Sequence, residues 1–414
     1  MTPFLQFAFV LAIILLCAKA GSYISNRLGQ PSVLGELLVG LLLGPSLLDL
    51  TRLNFITDIH LGEFINALGE IGVLILMFLA GLELHFHELA KSTCVSAYSG
   101  SLGVIIPVVS GWLFGWWIGL SHPEAIFLGL TLGATSVSIS AQTLMELKML
   151  KSRVGLGLLG AAVFDDILVI LLLSIFLAFT EGDQNLIAVI YVILRMFLFL
   201  LLSAGLGFWL IPRAVRLVSK LHISQGVITF AVIVLLFYGL ASELVGGMAA
   251  ITGTFIAGLM FARTSQKAEI ESGLRPLAYG FFVPIFFVTV GLGINLRLLD
   301  VNTLGLFFGI SLLAILGKIV GAGIGARLGN FPWREAIQLA IGLVSRGEVG
   351  LIVAKIGFDT GYISSEMFSS VVGMVLVTTL ITPPLLRKAF DPSFLKSSPP
   401  RPDPPLPKEG EPCS

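Results

Sequence analysis

The chain has 414 residues, of which 56% are hydrophobic and only 12% charged, with 25 basic and 25 acidic residues and a mean hydropathy of +0.97. An ordinary soluble domain is roughly a quarter charged, so this composition excludes a globular protein surrounded by water and requires a polytopic membrane protein. The zero net charge decides nothing, and nothing in the composition suggests a nucleic-acid partner; the information lies in where the charges fall.

A bilayer-crossing helix takes about 20 apolar residues. About thirteen such segments are predicted, centred near residues 12, 40, 73, 107, 133, 167, 202, 233, 255, 284, 312, 345 and 374. The first carries Ala18-Lys19-Ala20, which resembles a signal-peptide cleavage site. No basic residue precedes its apolar run, so it is expected to remain a membrane helix. Glu36, Glu70 and Glu83 lie near span ends or in glycine-bearing stretches and read as structural or vestibular; His85, His87 and Glu88 read as a solvated rim. The fourth span ends on Trp112, Trp116 and Trp117, which suit an interfacial aromatic belt. The fifth, "LGATSVSISAQTLMELKML", buries the hydroxyls of Thr135, Ser136, Ser138 and Ser140. The sixth, "AAVFDDILVILLLSIF", carries Asp165 and Asp166. Arg195 falls in the seventh, and "GTFIAGLMFA" in the ninth has the small residues of close helix packing. Lys318 sits in the middle of the eleventh. The twelfth, "IGLVSRGEVGLIVAK", places Ser345, Arg346, Gly347 and Glu348 at its centre. The end, "SSPPRPDPPLPKEGEPCS", reads as a disordered tail. Cys17, Cys94 and Cys413 are scattered, suggesting neither a disulfide framework nor a zinc site.

A charge at the centre of a membrane helix costs at least about 2.5–3.5 kcal/mol. Two adjacent carboxylates therefore need a reason. They lie about 100° apart around the helix, so at most one points squarely into a given cavity. Carboxylate oxygens suit small hard cations and also take protons, so the two can compete for the same atoms. Lys318 either neutralises a buried aspartate to hold two helices together or does so in a pair that cation binding breaks. A helix interrupted inside the membrane presents free carbonyls and amides at its half-helix ends, which is how transporters build ion sites at the midplane. For the hydroxyls alone, helix-to-helix hydrogen bonding is an equal reading; for Arg346 and Glu348, an internal ion pair is. The fifth and twelfth spans are seven apart and so run in opposite directions, as an inverted repeat requires. The Asp pair and Lys318 lie on the neighbouring sixth and eleventh, so all four elements can converge on one site.

Orientation follows from the basic loops. With the N-terminus outside, the cytoplasmic segments hold Arg27, Lys91, Lys148, Lys151, Arg153, Arg213, Arg216, Lys220, Arg263, Lys267, Arg275, Arg327, Arg334, Arg387, Lys388, Lys396, Arg401 and Lys408; the outside loops hold only Arg52 and Arg297. Lys19 and Lys355 can snorkel from helix ends, whereas Arg195, Lys318 and Arg346 lie deeper and need partners.

Seven stretches in order, "QPSVLGELLVGLLLGP", "FLAGLEL", "ATSVSISAQTL", "FDDILVIL", "PIFFVTVGLGI", "LGKIVG" and "SRGEVGLI", resemble the bacterial sodium/proton antiporters of the monovalent cation:proton antiporter superfamily, in the branch shared with the potassium efflux antiporters. The resemblance implies an all-α polytopic membrane fold of about 13 transmembrane helices, built from inverted-topology repeats with two crossed broken helices. Residues 1–390 would form the transmembrane antiporter domain, with spans 1–3 and 8–10 as a dimerisation panel and spans 4–6 and 11–13 as the core; 391–414 would be the short cytoplasmic tail. The potassium efflux branch typically has Gln-Asp where this chain has Asp165-Asp166, and carries a nucleotide-binding domain after the last span, which is not expected in this chain. The double-Asp form resembles electrogenic exchangers, implying two protons per cation. Carried across, Asp166 is the main carrier of cation (Na+, with Li+ also open) and proton, with Asp165 beside it as the partner of Lys318. Thr135 and Ser136 lie at the crossing, supported by Ser345, Arg346 and Glu348. The implied protein is a homodimer of the inner membrane that serves sodium transport and pH homeostasis without a cofactor or catalytic residue. A potassium/proton antiporter is the alternative. A channel fits less well, because a buried salt bridge would stand in its path. An intramembrane aspartyl protease needs its two carboxylates on separate helices, facing each other.

Overall fold

The computed structural model describes residues 2–50, 56, 60–84, 89, 92–180, 186–221, 223–294, 297 and 304–391. The side chains of 177–180, 186–189, 348 and 359 lie outside the description. His85, His87, Glu88 and residues 392–414 of the tail are also outside the described residues.

In chain order the helices are α1 (Pro3–Arg27), α2 (Ser32–Leu43), α3 (Leu61–Glu83), α4 (Thr93–Trp117), α5 (His122–Gly133), α6 (Val137–Glu146), α7 (Arg153–Thr180), α8 (Leu186–Val218), α9 (Gly226–Ala241), α10 (Ala250–Phe261), α11 (Lys267–Leu277), α12 (Val283–Leu292), α13 (Leu304–Leu328), α14 (Trp333–Gly342), α15 (Glu348–Asp359) and α16 (Ser365–Ala389). Among the described residues, ten stretches are long and apolar enough to cross a membrane, one of them α5 and α6 taken together. Three shorter apolar helices lie at α2, α10 and within α15. With α14 and α15 read as one interrupted span, the thirteen predicted segments are accounted for, and the protein is an all-helical, multi-pass membrane protein.

The chain forms two compact units: residues 1–85 with 170–301, and residues 86–169 with 302–414. In the first, Val10, Ile14 and Ala18 of α1 are buried against Leu61, Ile65, Ile285 and Val288, so α1 is an integral helix of this unit. The "GTFIAGLMFA" segment forms α10, where Gly258 lies against the backbone of Phe78 in α3. Two π-turns went unpredicted, at Ser242–Gly246 and Ala278–Phe282. Arg195 finds its partners at the first of these, donating through Nε to the Val245 carbonyl and through a terminal nitrogen to that of Leu244, each at 2.5 Å. Glu36 is buried and accepts from the Ser22 hydroxyl at 2.8 Å, Glu83 pairs with Arg275 at 2.5 Å, and Glu70 is exposed. Lys19 donates to the Tyr279 carbonyl at 2.7 Å.

The second unit holds every residue singled out for chemistry. A capping box of Ser121 and Glu124 with Pro123 in the first turn starts α5, and Pro332 caps α14. Helix α13 packs on α4 through glycine: a Cβ at Gly321 would collide with the Leu102 carbonyl. Gly321→Val is therefore expected to force the two helices apart, lowering the melting temperature by an amount equivalent to about 1–3 kcal/mol, the usual cost of overpacking, and displacing Lys318 one turn away. Gly305→Ala on the same helix meets nothing within 4 Å and should be neutral or slightly stabilising. Equal effects of the two in a thermal-unfolding assay would refute the packing argument. Cys17 is a free thiol.

Candidate cation site

Helix α7 is 28 residues long and carries Asp165 and Asp166 near its middle, 1% and 4% exposed. Lys318, 15th along the 25-residue α13, is fully buried. Its Nζ donates to both oxygens of Asp165, at 2.9 and 2.8 Å. The Thr135 hydroxyl also donates to Asp165. Asp165 is thus engaged by a cation and a hydroxyl at once, while Asp166 lies the 100° turn further round the helix.

Two chain breaks meet beside this pair. The first span of the unit to be interrupted stops at Gly133 and resumes at Val137; the second stops at Gly342 and resumes at Glu348. The breaks bond to each other reciprocally. The Ser136 amide donates to the Ser345 carbonyl at 2.9 Å, and the Ser345 hydroxyl donates to the Ser136 carbonyl at 2.7 Å. A side chain at Gly347 would collide with that of Ser136, so glycine is required by the close approach of the two strands of chain. The Ser140 hydroxyl donates to the Gly342 carbonyl, satisfying one orphan acceptor at the end of α14. Ser136 and Ser138 share a hydroxyl contact at 3.1 Å. The hydroxyls of this span therefore divide: Ser140 ties one break to the other, whereas Thr135 reaches the carboxylate.

Arg346 is fully buried between these parts. It donates to the Ala134 carbonyl at 2.8 Å, to the Thr135 hydroxyl at 3.4 Å and to the Ala314 carbonyl on α13 at 3.1 Å. The side chain of Glu348 lies outside the described residues, so the expected Arg346–Glu348 ion pair does too. Arg346 binds the carbonyl end of α5, where the helix dipole favours a cation. The chemistry is that of a dry, polar crossing: one ion pair, a second carboxylate, several hydroxyls and the ends of four half-helices. Oxygen donors of this kind suit a partly dehydrated monovalent cation or a proton.

Two further buried polar residues were not singled out in the sequence, and one of them touches the site. Thr379 of α16 donates to the Arg346 carbonyl at 2.6 Å. Gln142 is buried on α6, its amide nitrogen donating to Glu146 at 2.9 Å and its carbonyl oxygen having no partner. Uncharged side chains in a membrane helix carry little cost, so neither announces itself as a charge does.

Crossed broken helices beside a buried carboxylate–ammonium pair define a secondary transporter of ions, not an enzyme. Residues 10–388 match the family described as "Sodium/hydrogen exchanger, transmembrane". The chain belongs to that family. It is 38% identical over 385 residues to the Na(+)/H(+)-K(+) antiporter GerN of Bacillus cereus, covering 93% of this chain and 96% of that one. It is 36% identical over 385 residues to a Na(+)/H(+) antiporter of Enterococcus hirae, covering 92% and 98%. In three dimensions it resembles the sodium proton antiporter MjNhaP1 from Methanocaldococcus jannaschii at pH 8, with a TM-score of 0.65 at 18% identity over 93% of this chain and 96% of that one. The last likeness concerns the fold alone, and the fold is the sodium/proton antiporter fold expected from the sequence. The protein is a membrane antiporter of monovalent cations and protons.

Proposed function

We propose that the chain exports sodium, or lithium, in exchange for protons by alternating access at Asp166, with Asp165 and Lys318 as a breakable pair beside it. The observation that carries this reading is the buried Asp165–Lys318 ion pair at the junction of the two chain breaks. With Asp166 ionised, a cation binds there together with the Thr135 and Ser136 oxygens and carbonyls of the breaks, while Ser345 and Arg346 hold the breaks in register. Cation binding beside Asp165 weakens its hold on Lys318, whose proton leaves. The second unit, as the core, then moves against the first, as a dimerisation panel, and protons arriving on the other side displace the cation. Two protons per cation make the cycle electrogenic. The N-terminus lies outside and the C-terminus in the cytoplasm of the cell that carries the chain in its inner membrane, as the distribution of basic residues supports.

A second reading is favoured by the printed description of GerN, which includes K(+): potassium replaces sodium, or is carried with it. Both readings are tested together. Purified protein in liposomes with an imposed pH gradient is given sodium, lithium and potassium in turn while lumenal pH is followed. Collapse of the gradient by sodium or lithium, lost in Asp166→Asn, is the expected result. A response to potassium alone would favour the second reading, and full activity without Asp166 would overturn both.

A further inference from the structure

An amphiphilic groove in the second unit lies away from the ion site. It is a cavity of about 260 Å³ between α14 and the end of α16, lined by Arg334, Ile337, Gln338, Ile341, Leu385 and Lys388, with Ala389 at its edge. Its wall is almost wholly apolar, and two cationic residues, Arg334 near the start of α14 and Lys388 near the end of α16, are among those that line it. Trp333, next in sequence to Arg334, is 59% exposed. Exposed tryptophan on a membrane helix marks the depth of the water–lipid interface, which sets Arg334 and Lys388 at headgroup level. Ile337 and Ile341 follow one and two turns deeper along α14, as the 1.5 Å rise per residue requires. Ile337 is 45% exposed, so the groove opens sideways to the hydrocarbon.

We infer that this groove is a binding site for an anionic phospholipid of the bilayer: phosphate between Arg334 and Lys388, and one acyl chain along Ile337, Ile341 and Leu385. Charge complementarity selects the occupant. Two cationic side chains at headgroup level attract an anionic headgroup, each worth roughly a fivefold factor in affinity, and the apolar slot beneath them suits an acyl chain. The site also has a mechanical connection to the transport machinery. Gln338 on the groove wall donates to the Ala389 carbonyl at 2.8 Å, tying α14 to the end of α16. Helix α14 runs directly into the second chain break, and α16 carries Thr379, which holds Arg346. A lipid wedged between these two helices stabilises the arm on which the break is mounted. Only the leaflet, cytoplasmic, rests on the orientation proposed above; binding itself does not.

The test uses the full chain in detergent, with melting temperature and native mass spectrometry read against added phosphatidylglycerol, phosphatidylcholine of the same acyl chains, and sn-glycerol 3-phosphate. Phosphatidylglycerol should remain bound and raise the melting temperature; the other two should not. In R334Q/K388Q its affinity should fall about twenty-five-fold, two fivefold factors combined. In R213Q/R216Q, which removes equal charge from the other unit, affinity should be unchanged. Ile341→Trp keeps the charges and fills the slot, and should weaken phosphatidylglycerol binding as well, so the inference survives a poorly folding charge variant as a testable one. Equal stabilisation by phosphatidylcholine, or by glycerol 3-phosphate without an acyl chain, would overturn it. So would binding that appears only after residues 392–414 are deleted, since the groove would then belong to the chain's own tail.

Discussion

Lys318→Met is expected to destabilise the protein by about 3–5 kcal/mol, the range seen when one partner is taken from a buried ion pair. The geometry leaves the remaining carboxylate no substitute: the side chains are 0% and 1% exposed, and Asp165 depends on Lys318 at 2.8 Å with the Thr135 hydroxyl as its other described donor. Solvent cannot screen such a site, so the loss is not discounted as for a surface pair. Adding Asp165→Asn should restore most of the stability, because a neutral pair of similar volume avoids the desolvation that the charges suffer. The four proteins form a double-mutant cycle, and melting temperatures in detergent should show strong non-additivity. Additive losses would mean that the two side chains do not interact. The cycle also separates folding from transport. K318M/D165N that is stable but inactive in liposomes supports the pair as part of the exchange cycle; K318M/D165N that is stable and fully active makes the pair purely structural, and the proposed role for Lys318 fails.

The charged members of this site were legible in the sequence because the membrane makes charge expensive. Asp165, Asp166, Lys318 and Arg346 stood out against apolar surroundings for that reason, and the odd separation of the two interrupted spans pointed to their convergence. Which carboxylate faces Lys318 was not legible from spacing, since adjacent helical positions differ only in direction; that assignment came from the resemblance. The partners of Arg346 escaped for a different reason. They are the carbonyls of Ala134 and Ala314, and every residue has a carbonyl, so the sequence does not distinguish the two that are exposed by a break or by packing. Glu348 drew attention as the nearby acid; its side chain lies outside the described residues, and the terminal nitrogens of the guanidinium donate to backbone oxygen. Thr379 and Gln142 lie in stretches where a hydroxyl or an amide bonds within its own helix at no visible cost. In the fold, the π-turn at Ser242–Gly246 depends on Arg195 reaching across about fifty positions of chain to its carbonyls, a long-range contact that local pattern cannot contain.

Arg346→Lys should be far from conservative, lowering stability by on the order of 2–5 kcal/mol and slowing exchange at least about tenfold. A guanidinium offers five N–H donors in a fixed plane, and here that plane serves acceptors on two separate elements, the Ala134–Thr135 break and α13 at Ala314. A lysine ammonium, on a stem that ends in a point, reaches one of them. The carbonyl left over is buried without a donor, at roughly 1–3 kcal/mol each. Thr379→Val removes only one neutral hydrogen bond to the Arg346 carbonyl, so it should cost about 1 kcal/mol. The two variants together rank the side chain of Arg346 above its backbone anchor. Arg346 has no lone pair to give a cation, so R346K should lower the rate for sodium, lithium and potassium alike and leave their order of preference unchanged. A reversed ion preference in R346K would place Arg346 among the determinants of selectivity, whereas a uniform loss assigns it to holding the two breaks where Asp166 can use their oxygens.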